Sequence, residues 1–191
     1  MQAGEKRPAI VYFFGGGWKL GTPIQFYREC AYYASKGMVA VSVDYRIGYL
    51  HHSTPFESFE DAKDAICWLR SHASDYQLDP DKIAVAGGSA GGHLAAALGT
   101  IGSDETVPAG YRPNLSVLYY PVIDMVSRGY GFPEIKRDFE KISPIHHVSE
   151  ATPSTLILLG TKDPIVSVET IEAYQDKLLQ KGVDCELHLF E

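Results

Sequence analysis

Short runs of apolar residues alternate along this chain with longer stretches in which apolar positions recur at helical spacing. This alternation is typical of strands joined by helical crossovers in a mostly parallel sheet. Several runs are apolar at consecutive positions, which indicates a sheet with helices on both faces. We predict six strands, at residues 9–14, 38–44, 83–86, 115–120, 155–160 and 184–190.

Two helices stand out between the predicted strands. Residues 57–72 carry apolar side chains at a spacing of three or four, and residues 168–180 form a second amphipathic stretch that ends before Gly182. The Asp-Pro-Asp segment at residues 79–81 predicts a turn ahead of the third strand. Because no repeat, low-complexity segment or linker interrupts the pattern, we predict a single domain over residues 1–191.

The composition narrows the class of protein. The 191 residues are 45% hydrophobic and 21% charged, which is typical of a soluble globular domain with a sizeable core. A formal net charge of −7, without a cluster of Lys and Arg, argues against a nucleic-acid partner. No signal segment or membrane-length apolar run is present, so we expect no membrane association and a cytoplasmic location. A secreted or periplasmic location would follow if an upstream signal had been removed.

The three cysteines, Cys30, Cys67 and Cys185, are widely spaced and lie in apolar stretches. Their odd number and spacing do not fit a disulfide framework or a metal site. We therefore predict buried free thiols and no bound metal.

The first candidate for chemistry is Ser89, in the sequence Gly87-Gly88-Ser89-Ala90-Gly91. This G-x-S-x-G pattern follows a predicted strand and precedes a stretch of small residues that we expect to be helical. A sharp turn at such a junction holds a serine hydroxyl out at the carboxyl edge of the sheet, and the flanking glycines relieve crowding. We predict that Ser89 is a nucleophile; the alternative is an ordinary turn serine.

A glycine run, Gly15-Gly16-Gly17, follows the first strand directly. An acyl-transfer enzyme must stabilise an oxyanion, and residues without side chains let backbone N–H groups approach it closely. We predict that the N–H groups of Gly15, Gly16 and Ala90 form an oxyanion hole. A phosphate-binding loop is the alternative, but the run lacks the Lys-Ser/Thr pair of a P-loop and the spacing of a dinucleotide fingerprint.

Asp163 follows the fifth predicted strand, in the sequence Gly-Thr-Lys-Asp-Pro at residues 160–164. In hydrolases with a serine at such a turn, the catalytic residues follow one another as Ser, acid and His. Asp163 therefore stands where a carboxylate that orients a histidine is expected. A solvated turn aspartate is the alternative.

These elements, in this order, resemble the α/β-hydrolase serine esterases, in the acetyl-esterase and acetylxylan-esterase-like branch near the hormone-sensitive-lipase group. The resemblance extends over nearly the whole chain, including KGMVAVSVDYR, DPDKIAVAGGSAGGHLAA and PSTLILLGTKDPIV. It implies the α/β-hydrolase fold and hydrolysis of carboxylic esters through a serine acyl-enzyme, with no metal or organic cofactor. The implied substrate is a small ester with a short acyl group, such as the acetyl ester of a sugar.

Two departures from that branch concern histidine. Phe14 stands where many relatives carry the His of a His-Gly-Gly-Gly motif, which leaves the backbone donors in place. The branch places its general base in a loop after the last strand, but of the seven histidines only His188 follows Asp163. His188 lies inside the last predicted strand and is the candidate base, whereas we expect His93 to be packed locally, one helical turn after Ser89.

The branch also begins with additional strands, so we predict a truncated core that lacks the first strands and the C-terminal histidine loop. The strand at residues 38–44 would then lie at an edge of the sheet. Because an apolar edge strand invites pairing with another chain, we predict a homodimer formed through that edge.

Two alternative functions stay open at this point. A catalytically silent binding module of the same fold would explain the missing histidine. A peptidase, lactonase or thioesterase would keep the fold and change the bond that is cleaved. Four aromatic residues, Trp18, Tyr45, Tyr49 and Tyr130, either line a sugar-binding cleft or pack in the core.

Overall fold

The computed structural model of the protein describes residues 6–102, 109–125 and 138–191. Its centre is a six-stranded sheet in which the paired strands all run parallel. The order across the sheet is β2-β1-β3-β4-β5-β6, which confirms the six predicted strands and the parallel sheet. The strands are β1 (Arg7–Phe13), β2 (Val39–Val43), β3 (Leu78–Gly88), β4 (Leu115–Tyr119), β5 (Ser154–Gly160) and β6 (Cys185–Phe190).

Helices cover both faces of this sheet. Tyr12 of β1 stacks on Phe26, just before the first helix, with ring centroids 4.8 Å apart. On the opposite face, the helix after Ser89 packs on β4, where Gly99 lies against Ser116. In the described residues the helices are α1 (Tyr27–Ser35), α2 (Gly48–His51), α3 (Pro55–Ser71), α4 (Ala90–Thr100), α5 (Phe139–Ile142) and α6 (Val168–Gln180).

Helix α3 shows how local sequence sets an element's start. Thr54 and Glu57 form a reciprocal capping box, and Pro55 occupies the first turn, where its missing N–H costs no hydrogen bond. The side chains that face the core are those that define the helical periodicity, Phe59, Ala62, Ile66 and Leu69. The predicted helices at residues 57–72 and 168–180 are therefore confirmed, the first beginning two residues earlier than predicted.

Strand β3 is longer than the predicted residues 83–86. Arg7 pairs with Leu78 and Ala9 with Ile83, so β3 carries extra residues in a bulge between these two pairings. The predicted Asp-Pro-Asp turn lies within this bulge, where the Asp81 N–H donates to the Asp79 carboxylate at 3.1 Å. Turn chemistry therefore interrupts the strand without ending it.

The edges of the sheet are β2 and β6. The predicted edge position of residues 38–44 is thus confirmed, while the homodimer through that edge stays a prediction. Among the described residues, no helix has the length and hydropathy needed to cross a membrane.

The prediction for the cysteines was right about free thiols and wrong about their burial. All three are free, but Cys67 is exposed, and Cys30 and Cys185 are half-buried. Cys67 lies next to the core-facing Ile66 on α3, and because successive side chains are about 100° apart around a helix, it lies beside the buried face and outside it.

Candidate active site

Ser89 lies in a strained turn between β3 and α4. Its backbone has φ 52° and ψ −117°, a conformation that side chains disfavour. Two hydrogen bonds from neighbouring backbone hold it there, because the Ser89 N–H donates to the Tyr119 carbonyl at 3.0 Å and the Ser89 carbonyl accepts from the Val122 N–H at 3.3 Å. This is the geometry of a nucleophile elbow, in which surrounding contacts maintain the strain.

The glycines of the G-x-S-x-G motif are there because the elbow leaves no room for side chains. A Cβ at Gly87 or Gly91 would overlap backbone atoms, at Gly91 those of Phe13 and Phe14. Strand β1 therefore passes directly against the first turn of α4. The glycines bring the loop after β1 next to Ser89.

That loop begins at Gly15, which faces Ser89. A Cβ built on Gly15 would lie 3.4 Å from the Ser89 Cβ and 2.9 Å from the Gly88 carbonyl oxygen. The Gly15 N–H donates to the Gln25 side-chain oxygen at 2.6 Å. The backbone N–H groups of Gly16 and Ala90 make no hydrogen bond within the described residues, so they are free to bind an oxyanion.

Aromatic side chains fix both ends of the glycine loop. Phe14 is fully buried and stacks on Tyr45 with centroids 4.1 Å apart, and the Tyr45 hydroxyl donates to the Phe14 carbonyl at 2.6 Å. At the other end Trp18 meets His93 edge-on, with centroids 5.0 Å apart. Phe14 therefore holds this end of the loop by packing and through its backbone carbonyl.

Asp163 lies in the turn after β5, half-buried. Its Oδ1 accepts from the N–H groups of Ile165 at 2.8 Å and Val166 at 2.9 Å, which orients the carboxylate. Its other oxygen makes no hydrogen bond within the described residues. The carboxylate is thus held through Oδ1, and its Oδ2 is available to a hydrogen-bond donor.

The candidate base His188 lies away from Ser89. The paired register runs Gly88, Tyr119, Leu158, His188, so three strand spacings, roughly 14 Å, separate the backbones of His188 and Gly88. The His188 side chain is 55% exposed, with Nε2 3.4 Å from a Glu186 carboxylate oxygen. In the described part of the chain it makes no hydrogen bond to Ser89 or Asp163.

Three of the other histidines hydrogen-bond to backbone groups through their rings. His93 is fully buried, which confirms that it is packed, but its Nε2 lies 2.7 Å from the carbonyl oxygen of Ile142, 49 positions away, so its hydrogen-bond partner is not local. His51 accepts from the Ile47 N–H at 3.0 Å, and His147 lies 2.7 Å from the Glu140 carbonyl oxygen. The described ranges contain no group of three His, Cys, Asp or Glu side chains arranged to hold a metal ion.

The aromatic residues that we considered for a sugar-binding cleft differ in how far they are buried. Trp18 and Tyr45 are 1% exposed and belong to the core, whereas Tyr49 is 70% exposed in the segment after β2. Tyr130 lies outside the described residues. The packing alternative therefore holds for Trp18 and Tyr45.

Two residues at this site were missed by the sequence analysis. Gln25 lies in a short 3-10 turn at Pro23–Phe26, and its contact with Gly15 has no signature in the sequence. Tyr120 follows β4 directly and lies beside the elbow, with its hydroxyl 2.8 Å from the Cβ position of Gly88. The sequence did carry one signal for Tyr120, which is an aromatic residue at the carboxyl end of the strand next to the elbow.

Known proteins are similar to this chain in sequence. Esterase LipC of Mycobacterium tuberculosis is 30% identical over 90% of this chain and 48% of its own length. An acetylxylan esterase of Xylanibacter ruminicola is 26% identical over 95% of the chain and 39% of its own length. The chain spans about half the length of the curated relatives it matches first.

A solved structure extends the likeness to three dimensions. The apo form of Thermogutta terrifontis esterase 2 superposes with a TM-score of 0.90 at 37% identity, covering 100% of this chain and 74% of the esterase. The same esterase has been solved with propionate bound and phosphonylated by sarin. The sheet order, the elbow and this superposition together identify the α/β-hydrolase fold. The BD-FAE family matches residues 1–127, and the chain belongs to that family.

Proposed function

We propose that this protein hydrolyses carboxylic esters through an acyl-enzyme formed on Ser89. The observation that carries the proposal is the strained Ser89 backbone at the strand-to-helix turn, with the Gly15 backbone against its side chain. Strain of this kind persists where surrounding structure enforces it and is concentrated at catalytic sites. The esterases among the relatives support the same reaction class.

In the proposed reaction, the Ser89 hydroxyl attacks the ester carbonyl carbon and gives its proton to a base. The carbonyl oxygen becomes negatively charged and accepts hydrogen bonds from backbone N–H groups of the glycine loop and of Ala90. The C–O bond to the alcohol then breaks, the alcohol leaves with a proton, and water hydrolyses the acyl-enzyme. Gly15 would contribute its N–H to the oxyanion only if the carboxamide of Gln25 released it.

Asp163 is proposed to support a histidine base through its second carboxylate oxygen. Within residues 6–102, 109–125 and 138–191, no histidine side chain bonds to Ser89 or Asp163, and the one contact is the His93 backbone N–H, which donates to the Ser89 carbonyl at 2.9 Å. This observation favours a second candidate function, a binding module of the same fold that retains the ester site without turnover. An enzyme that lacks one residue of its catalytic triad can still accelerate hydrolysis roughly 10³- to 10⁴-fold over the reaction in water, through its oxyanion hole and substrate binding.

For the substrate, we propose short acyl groups, with acetylated sugars as the alcohol class. The bound propionate of the Thermogutta esterase supports a short acyl group, and the acetylxylan esterase among the relatives supports the sugar. Lactonase and thioesterase chemistry rank below ester hydrolysis because esterase LipC, the acetylxylan esterase and the Thermogutta structure are all esterases. Peptidase chemistry is the next candidate, because an acylamino-acid-releasing enzyme of Arabidopsis thaliana is 29% identical over 98% of this chain.

The test compares hydrolysis of p-nitrophenyl acetate by the wild-type chain and by Ser89→Ala. Ser71→Ala is the control, because Ser71 is exposed at the end of α3 and its hydroxyl bonds only the neighbouring Trp68 carbonyl and His72 ring among the described residues. A fluorophosphonate probe is applied to the same three proteins, with the modified residue located by mass spectrometry. We expect turnover and labelling in wild type and Ser71→Ala, and neither in Ser89→Ala.

Three outcomes separate the candidates. Labelling of Ser89 with turnover supports the esterase. Equal background hydrolysis in wild type and Ser89→Ala, with saturable binding of an acetylated sugar, supports the binding module. Faster hydrolysis of decanoate than of acetate esters would contradict the short acyl specificity while leaving Ser89 as the nucleophile.

A further inference from the structure

Tyr120 is held beside the nucleophile by backbone contacts on both sides. The residue before it, Tyr119, accepts the Ser89 N–H, and Val122 donates to the Ser89 carbonyl. The Tyr120 N–H itself donates to the Leu158 carbonyl of β5 at 2.7 Å. Any movement of Tyr120 would therefore disturb hydrogen bonds to the elbow and to β5.

The backbone of Tyr120 is strained in the same way as that of Ser89. Its φ is 38°, a value that residues with side chains rarely adopt. This conformation lays the phenol ring over Gly88, with the hydroxyl oxygen 2.8 Å and Cζ 3.0 Å from the position of a Gly88 Cβ. The glycine before the nucleophile thus makes room for this ring.

The Tyr120 hydroxyl is available to a ligand. The residue is 37% exposed, and within the described residues its hydroxyl makes no hydrogen bond. Burial raises the pKa of Tyr120, and the carboxylates of Asp163 and Glu29 raise it further. The phenol consequently keeps its proton near neutral pH and acts as a hydrogen-bond donor.

The order of strands decides which part of a substrate Tyr120 meets. The glycine loop follows β1 on one side of β3, while Tyr120 and Asp163 follow β4 and β5 on the other side. An ester with its carbonyl oxygen toward the glycine loop points its alcohol toward the side that carries the acid and its base. Tyr120 lies between Ser89 and Asp163 on that side.

We propose that the Tyr120 hydroxyl donates a hydrogen bond to the alcohol oxygen of the ester as its bond to the acyl carbon breaks. This inference rests on the proposed esterase function. The electron pair of the breaking C–O bond passes to the alcohol oxygen, the base delivers the proton, and the phenol keeps its own. Tyr120 would therefore matter most for esters of weakly acidic alcohols, whose oxygen carries the most charge at that moment.

The experiment measures kcat/KM, which reports the acylation step, for wild type, Tyr120→Phe and Tyr32→Phe. The substrates are p-nitrophenyl, phenyl and benzyl acetate, which share the acyl group and have progressively less acidic alcohols. Tyr120→Phe keeps the ring over Gly88, and Tyr32→Phe removes an exposed hydroxyl from α1 as the matched control. Ser89→Ala provides the background, and thermal melting reports folding.

We expect Tyr120→Phe to lose about twofold or less on p-nitrophenyl acetate and about tenfold or more on benzyl acetate, through kcat rather than KM. Tyr32→Phe should match wild type on all three esters. If Tyr120→Phe lowers the Ser89-dependent activity equally on all three esters, or does not lower it, the role of Tyr120 is overturned and the esterase proposal stands. Activity that is unchanged in Ser89→Ala overturns the esterase proposal and this inference with it.

Discussion

Acidification from pH 7 to pH 4 should destabilise this fold through a buried side chain, His93. The ring lies in the first turn of α4, with its Nε2 2.7 Å from the Ile142 carbonyl oxygen. A carbonyl can only accept, so Nε2 carries a proton, and because burial lowers the pKa of His93 to about 4 the imidazole is neutral at pH 7. Its Nδ1 is buried without a hydrogen-bond partner among the described residues. Protonation would place a second N–H and a positive charge in this closed space.

The magnitude follows from the two pKa values. Burial lowers the pKa of His93 from 6.5 to about 4, against the smaller opposing effect of the hydrogen bond to Ile142. Because the folded pKa is depressed, the unfolded chain takes up a proton first as the pH falls, and stability present above pH 6.5 is lost below it. Linkage gives a loss of about 2 kcal/mol at pH 5 and about 3 kcal/mol at pH 4.

The assay is urea denaturation at pH 7, 6, 5 and 4 for wild type and His93→Gln. Glutamine can donate to the Ile142 carbonyl but does not titrate, so the difference between the two profiles isolates the histidine from the carboxylates. We expect wild type to lose about 3 kcal/mol more than His93→Gln by pH 4. Parallel profiles would refute the assignment of a neutral, buried imidazole.

The remaining predictions concern the loop and the acid. Gly16→Ala should lower the free energy of unfolding by roughly 1–3 kcal/mol and abolish activity, because the Gly16 φ is 135° and a Cβ would overlap the Leu20 carbonyl. Gly160→Ala is the control, because a Cβ there would contact no atom, and its free energy of unfolding in the same denaturation assay should stay within about 0.5 kcal/mol of wild type. Asp163→Asn keeps an oxygen for the turn and should leave the melting temperature unchanged while slowing esterase turnover by roughly 10⁴-fold, as in a serine-protease triad. A loss under tenfold would argue against Asp163 as the catalytic acid.

The sheet was predictable because its strands carry their signal in consecutive residues. Strand β1 buries its last five side chains, as its unbroken apolar run predicts. The extension of β3 to Leu78 was not predictable in the same way. It depends on pairing with Arg7 across a bulge, and a residue pair 71 positions apart leaves no mark on local periodicity.

The residues of the candidate site were likewise predictable where the local sequence determines them and unpredictable where tertiary contacts do. Ser89 and the glycine loop could be located because a strained turn and a close backbone approach both require glycine at fixed positions. The Gln25 side chain reaches Gly15 through folding of the intervening turn, so its role follows from tertiary structure alone. The burial of Trp18 and Tyr45 was equally open, because an aromatic residue beside a site fits a cleft and a core alike.

The crowding at the elbow also bears on how this protein could change its substrate over evolutionary time. Gly91 abuts the backbone of β1, and Gly92 lies against Pro121, so neither position can accept even a methyl group without moving a neighbouring strand or loop. Substitutions that change the substrate are therefore expected elsewhere, at exposed positions such as Leu20 and Ile165 in the segments that follow β1 and β5. The turn that carries Ser89 therefore tolerates little change, whereas the exposed loops around it can vary.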